Sequence, residues 1–265
     1  MVALFILTLS SSYFLKLTPG VMSQGLGGVS VMLDEGLAVF HNPVLAQASK
    51  FNFTLSRWFY STTFFCFGAS YQRNSFGISY LNYGGIQGFD EFGNPTGEFV
   101  PYDLRIALGR SFSPLGITIQ GFQEKIADQP LLGLCCGISS YFKLGCIALG
   151  FKVDNLGKEF AQNTDIPVLI ALGSKINLPI DLDFLFEVRP LDLEVSSGVL
   201  YEYQNIRIFF GAKYLYPEVQ DYALTLVDFD FSGGVLVKVD DYEIGYSLVY
   251  NEFSTAHQFS IIFTP

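Results

Sequence analysis

The sequence predicts an all-β fold, a single fourteen-stranded antiparallel transmembrane β-barrel with an N-terminal plug segment. Three observations predict it. The first is hydropathy without helices. The 265 residues are 50% hydrophobic and 15% charged, against about 25% charged for an ordinary soluble domain, and mean hydropathy is +0.35. A membrane helix needs ~20 predominantly apolar residues. The uncharged stretches are 1–15, 17–33, 36–49, 58–72, 74–89 and 129–142. The second is broken by Pro19, Gly20, Gly25, Gly27 and Gly28, and the others are too short. The closed barrel is the other structure that satisfies every backbone polar group in lipid. The second observation is a period of two along most of the chain, and the third is a segregation of long and short links. Both are developed below.

Residues 1–14, MVALFILTLSSSYF, combine an apolar run with Ser10, Ser11 and Ser12. That pattern predicts a signal peptide, although a basic first region is missing. Residues 15–48 do not read as strands. Gly25, Gly27 and Gly28 precede VSVMLDEGLAVF and then His41-Asn42-Pro43. No strand precedes these glycines, so a nucleotide loop does not fit. A plug or hatch folded into the barrel does fit, since the glycines allow close approach to a wall; a flexible periplasmic arm that never enters the barrel is the alternative. Asn42-Pro43 would set the turn into the first strand. The barrel itself is expected over 49–265.

Fourteen strands are predicted: 50–57, 62–71, 75–83, 101–112, 115–124, 131–142, 145–153, 167–176, 181–189, 194–203, 206–214, 231–239, 241–250 and 257–264. In 181–189, Leu182, Phe184, Phe186 and Val188 alternate with Asp183, Glu187 and Arg189. In 206–214, Ile206, Ile208 and Phe210 alternate with Arg207, Gly211 and Lys213. Tyr246 and Leu248 oppose Glu243 in the same way. A soluble sandwich also alternates, but a membrane barrel turns its apolar side out to lipid and its polar side in. Phe184, Phe186, Ile206, Ile208, Tyr246 and Leu248 are therefore expected outside, and Asp183, Glu187, Arg207 and Glu243 inside. None of the prolines falls inside a predicted strand; Pro101 and Pro167 open one, where a missing donor is tolerated.

Short links follow the even-numbered strands of this set, and the long links 84–100, 154–166 and 215–230 follow odd-numbered ones. Outer-membrane barrels have short periplasmic turns, long external loops and an even strand number. All three long links are acidic, with Asp90, Glu91 and Glu98, then Asp154, Glu159 and Asp165, then Glu218, Asp221, Asp228 and Asp230. Calcium takes oxygen ligands of this kind, but ordinary solvated loop charge is the simpler reading and no metal centre is expected. Cys66, Cys135, Cys136 and Cys146 sit in apolar runs without zinc spacing. They read as small wall residues, with a Cys136–Cys146 bridge left open.

The stretch Gly25-Leu-Gly-Gly-Val-Ser-Val-Met-Leu-Asp-Glu-Gly-Leu-Ala-Val-Phe-His-Asn-Pro43 resembles the opening of the PorV/PorQ family. Tyr80-Leu-Asn-Tyr-Gly84, Asp90-Glu-Phe-Gly-Asn-Pro-Thr-Gly97, Tyr102-Asp-Leu104, Phe151-Lys-Val-Asp-Asn-Leu-Gly157 and His257-Gln-Phe-Ser-Ile-Ile-Phe263 follow in the family's order. Val44 stands where that family has Ala. The resemblance implies a FadL-type outer-membrane barrel of fourteen strands. It implies either type IX-like secretion, with exported cargo proteins and secretion components as partners, or hatch-gated transport of a hydrophobic ligand.

Net charge −10 argues against nucleic acid, whose binding rests on phosphate neutralisation. An enzyme would need a base beside a nucleophile. The only histidines are His41, in the plug, and His257, at the last strand, so no catalytic residue and no cofactor is expected. The outer-membrane bilayer is the expected surrounding. Aromatics in or beside the long loops, Phe89, Phe92, Tyr214, Tyr216, Tyr222 and Phe229, are the expected partner contacts, since Tyr is enriched at binding hot spots.

Overall fold

A computed structural model describes residues 12–58, 61–90, 92–126, 129–160, 166–215, 228–250 and 255–265. The expected signal peptide lies mostly outside this set. Sixteen strands run in chain order: β1 Lys50–Arg57, β2 Thr63–Tyr71, β3 Asn74–Asn82, β4 Ile86–Phe89, β5 Pro95–Phe99, β6 Tyr102–Ser111, β7 Leu115–Ile126, β8 Gln129–Leu144, β9 Ile147–Glu159, β10 Leu169–Leu178, β11 Leu182–Arg189, β12 Glu194–Tyr203, β13 Ile206–Leu215, β14 Asp228–Val239, β15 Tyr242–Tyr250 and β16 Thr255–Phe263. Fourteen form one closed barrel; β4 and β5 form a separate hairpin. Every barrel pair is antiparallel, and β1 closes on β16 with Phe51 opposite Phe263 and Arg57 opposite His257.

Alternation sets which side chains face out. Phe184, Phe186, Ile206, Ile208 and Tyr246 are exposed, while Glu187 is buried and Asp183, Arg207 and Glu243 are half-buried. The inward charges are paired: Lys175 with Asp183 at 2.7 Å and Arg207 with Glu243 at 3.3 Å. Apolar outside and ionised inside is the membrane-barrel pattern rather than that of a sandwich. Aromatic rings line the outer surface near the strand ends, as in the Phe51–Phe263 stack and the Tyr242–Phe263 contact.

The tight turns gather at one end. Gln72-Arg73, Gly145, Gln204 and Asp240 take the left-handed backbone that two-residue hairpin turns require. β1 begins and β16 ends at that same end, so the described chain enters and leaves the wall on the short-turn side.

Three expectations are corrected. The link 84–100 is not one loop but carries the β4–β5 hairpin. β9 runs on to Glu159, and Asp154 and Glu159 are buried, not solvated loop charges. Asp154 follows the inward alternation of Ala148, Gly150 and Lys152, and a bulge turns Glu159 inward as well: Asp154 and Asn155 together face the single position Gly137, and Asn155 adopts φ 62°. β14 likewise starts at Asp228, and Asp230 turns inward to Lys213 at 2.8 Å. All four cysteines are free, which removes the Cys136–Cys146 bridge.

Candidate functional site in the barrel interior

Residues 12–49 contain only short helical turns, Tyr13–Lys16, Val21–Gly25 and Pro43–Leu45. Their partners span the whole circumference. Asn52 of β1 donates to the Glu35 carbonyl. Gly68 and Gly77 of β2 and β3 lie against Leu37 and Phe40, and Gly109 and Gly116 of β6 and β7 against Pro43. Asn42 donates to Ser140 of β8, and Lys152 of β9 to the Phe40 carbonyl. Gly150 and Gly173 of β9 and β10 meet Met32, and Gly198 and Gly211 of β12 and β13 meet Leu26. Glu187 of β11 takes Ser30 and Val31, and Ser232 of β14 takes Gly27. Val21 packs beside Gly245 of β15 and shares an apolar cluster with Ile262 of β16. A segment that touches all fourteen strands of a closed barrel lies inside it.

The glycines of the segment sit where backbone and wall nearly touch. A Cβ on Gly25 would stand 2.2 Å from the Phe209 ring, and one on Gly27, at φ 74°, 2.6 Å from the Ala212 carbonyl oxygen. Gly28 has more room but holds φ 92°, which disfavours a side chain. Asn42 is fully buried, and both ends of its amide are used. Its Nδ2 donates to the carbonyls of Val31 at 3.2 Å and Ser140 at 3.0 Å, and its Oδ1 accepts from the Val44 amide at 3.1 Å. Asn42 thus caps the turn that Pro43 opens, and the chain leaves this turn for β1.

Buried ion networks tie the segment to the wall. Arg189 donates to Glu187 at 2.9 Å, to the Thr18 hydroxyl at 2.8 Å and to the Gly28 carbonyl at 2.9 Å. Glu187 in turn accepts the amides of Ser30 and Val31 at 2.6 and 2.9 Å. Arg105 donates to the Leu15 carbonyl at 3.0 Å and stacks over Phe40 at 4.2 Å. Within the segment, Glu35 accepts from Met22 and Ser23, and the His41 ring bonds the Pro19 carbonyl at 2.7 Å. A cavity of about 120 Å³ remains between the segment and β11–β15, bounded among others by Thr18, Gly27, Gly28, Arg189, Lys213 and Asp230.

The remaining sequence-predicted residues fall in two places. Phe89 and Phe92 are 64% and 81% exposed at the end and turn of the β4–β5 hairpin. Its turn is held by Asp90, which accepts from the Phe92 and Asn94 amides at 2.9 and 2.8 Å and from the Asn94 side chain at 3.0 Å. Hydrogen bonding by Asn94 holds the Asp90 carboxyl below the usual carboxylate range. Tyr214 and Phe229 do not lie on a loop. They are cross-strand partners on β13 and β14 with rings 5.1 Å apart, continuing to Phe231 on the outward face. Tyr216 and Tyr222 lie outside the described residues. Sequence reasoning missed Arg105, Lys152 and Arg189 as a set. Their signal was a cation at an inward position of an alternating strand.

No family model matches the chain, and no curated protein matches it. Solved structures do. The "CymD monoaromatic hydrocarbon channel" superposes with a TM-score of 0.59 at 11% identity, over 93% of this chain and 97% of that one. The "TodX deltaS2S3 mutant monoaromatic hydrocarbon channel" gives 0.59 at 11% identity, over 92% and 97%. At that identity the likeness shows the fold. A closed fourteen-strand barrel of this channel fold, apolar outside and ionised within, is an outer-membrane protein.

Proposed function

We propose that the chain is a non-enzymatic passage for small molecules across the outer membrane, with residues 15–48 acting as its plug or hatch. The observation that carries the reading is the contact of that segment with every barrel strand through apolar packing, hydrogen bonds and ion pairs, none of them covalent. Such bonds exchange with water or solute when a neighbour shifts. Small hydrophobic solutes are the class we favour, in line with the FadL-type resemblance and with the fold shared by two channels whose names specify monoaromatic hydrocarbons. The test is uptake of toluene by cells whose outer membrane carries the intact chain. Uptake faster than in cells lacking it supports the reading; equal uptake of toluene and of other small solutes opposes it.

A second reading has one observation in its favour. Phe89 and Phe92 stand exposed on a two-stranded hairpin outside the barrel wall. Exposed aromatics on a rigid support suit a protein partner, such as an exported cargo protein or a secretion component. Replacing 86–97 by a short Gly-Ser turn should then abolish co-purification of that partner while the barrel still assembles.

A further inference from the structure

Inside the barrel, the cavity between residues 16–28 and β11–β15 is bordered by six ionisable side chains: Lys16, Arg189 and Lys213, and Asp192, Glu194 and Asp230. They alternate in sign as neighbours. Lys16 meets Asp192, Arg189 meets Glu194 at 3.3 Å, and Lys213 meets Asp230 at 2.8 Å across the β13–β14 ladder. Three cations and three anions make a border with no net charge but a strong local field. Leu17 and Val249 add apolar surface to the same cavity.

Such a border discriminates by charge type. A pure anion entering it meets three carboxylates as well as three cations, and a pure cation meets the converse. Neither gains net attraction, and both lose hydration. A hydrocarbon displaces water from six charges without replacing the lost hydrogen bonds, which is costly in a partly buried site. A solute carrying both charges a few ångströms apart can interleave with the pairs, its carboxylate toward Arg189 and Lys213 and its ammonium toward Asp230 and Glu194. We propose that this cavity binds the zwitterionic head of a small solute whose apolar body rests on Leu17 and Val249. The inference rests on the passage reading above and gives this cavity a ligand of its own, an amphiphile with a dipolar head, distinct from the hydrophobic solutes of that reading.

Four probes with one aromatic body separate the charge types: L-phenylalanine, 3-phenylpropionate, phenethylamine and ethylbenzene. Their binding to the full chain in detergent is read by ligand-observed NMR titration. L-Phenylalanine should saturate at least ten-fold more tightly than the other three. Asp230→Asn leaves the border with a net positive charge and should move the preference to 3-phenylpropionate. Lys213→Met should move it to phenethylamine. A variant that merely folds poorly would lower all four together and would not exchange their order, and retention of the compact form on unheated gels confirms the barrel in each case. An order led by ethylbenzene, four equal affinities, or an order unchanged by both substitutions would overturn the proposal. Because binding is read without flux, any of those results leaves the passage reading to its own uptake test.

Discussion

Gly211 of β13 and Leu26 of the luminal segment are in backbone contact: a Cβ on Gly211 would stand 2.1 Å from the Leu26 carbonyl carbon and 2.2 Å from the Gly27 nitrogen. No side chain fits there without moving the segment or bending the wall. Gly211→Val should therefore destabilise the closed arrangement by about 1–3 kcal/mol, the usual cost of overpacking. The check is limited proteolysis. Cleavage between residues 18 and 46 should appear in the variant and be absent from the parent protein.

Asn42 links the segment to β8 through the Ser140 carbonyl and to its own turn through Val44. Asn42→Ala leaves two buried carbonyls without that donor, at about 1–3 kcal/mol for an unsatisfied buried group. Thermal unfolding in detergent should show the loss. Asn42→Asp, which keeps the acceptor and removes the donor, should lose a comparable amount.

The orientation of the wall makes a paired prediction on β11. Phe184 faces lipid, and its neighbour Asp183 faces the interior beside Lys175. Phe184→Arg should cost about 2–4 kcal/mol if the position lies near the bilayer midplane. Asp183→Asn should assemble normally. Heat-modifiable mobility on gels reads both, and equal tolerance would contradict the assigned faces.

The hairpin turn should respond to acid. The folded Asp90 carboxyl is held below the usual range by Asn94, so its contribution to the turn is present above the unfolded value. That contribution is lost as pH falls through the folded value. The protection of the Asn94 amide, its exchange rate referred to the intrinsic rate at each pH, should be high at neutral pH and fall at acid pH. In Asp90→Ala the protection should be low at both.

The barrel was legible from residue order because each of its strands repeats one simple rule. Ile206, Ile208 and Phe210 against Arg207 and Lys213 mark two faces within a few residues, and a barrel needs no more than that pattern and its turns. The β4–β5 hairpin was not legible: its strands hold four and five residues, with Gly88 and Gly97 in them and Gly93 between. The acidic residues misled for a physical reason. Asp154, Glu159 and Asp230 read as loop residues because charge usually marks solvent, yet a barrel interior is the one buried place where charge is expected. The interior network was hidden by distance along the chain. Arg105 finds its acceptor at Leu15, and Arg189 finds its own at Thr18 and Gly28. Gly25, Gly27, Gly28, Asn42 and Pro43 could be singled out because their backbone chemistry is local.

Single-channel conductance in planar bilayers tests the central claim most directly, with the intact chain compared against one lacking residues 15–48. The claim is that this segment obstructs the barrel it fills. The intact protein should show no steady current or rare brief openings, and the shortened protein should show long-lived steps. Equal conductance from the two, with both confirmed as folded barrels by gel mobility, would contradict the account.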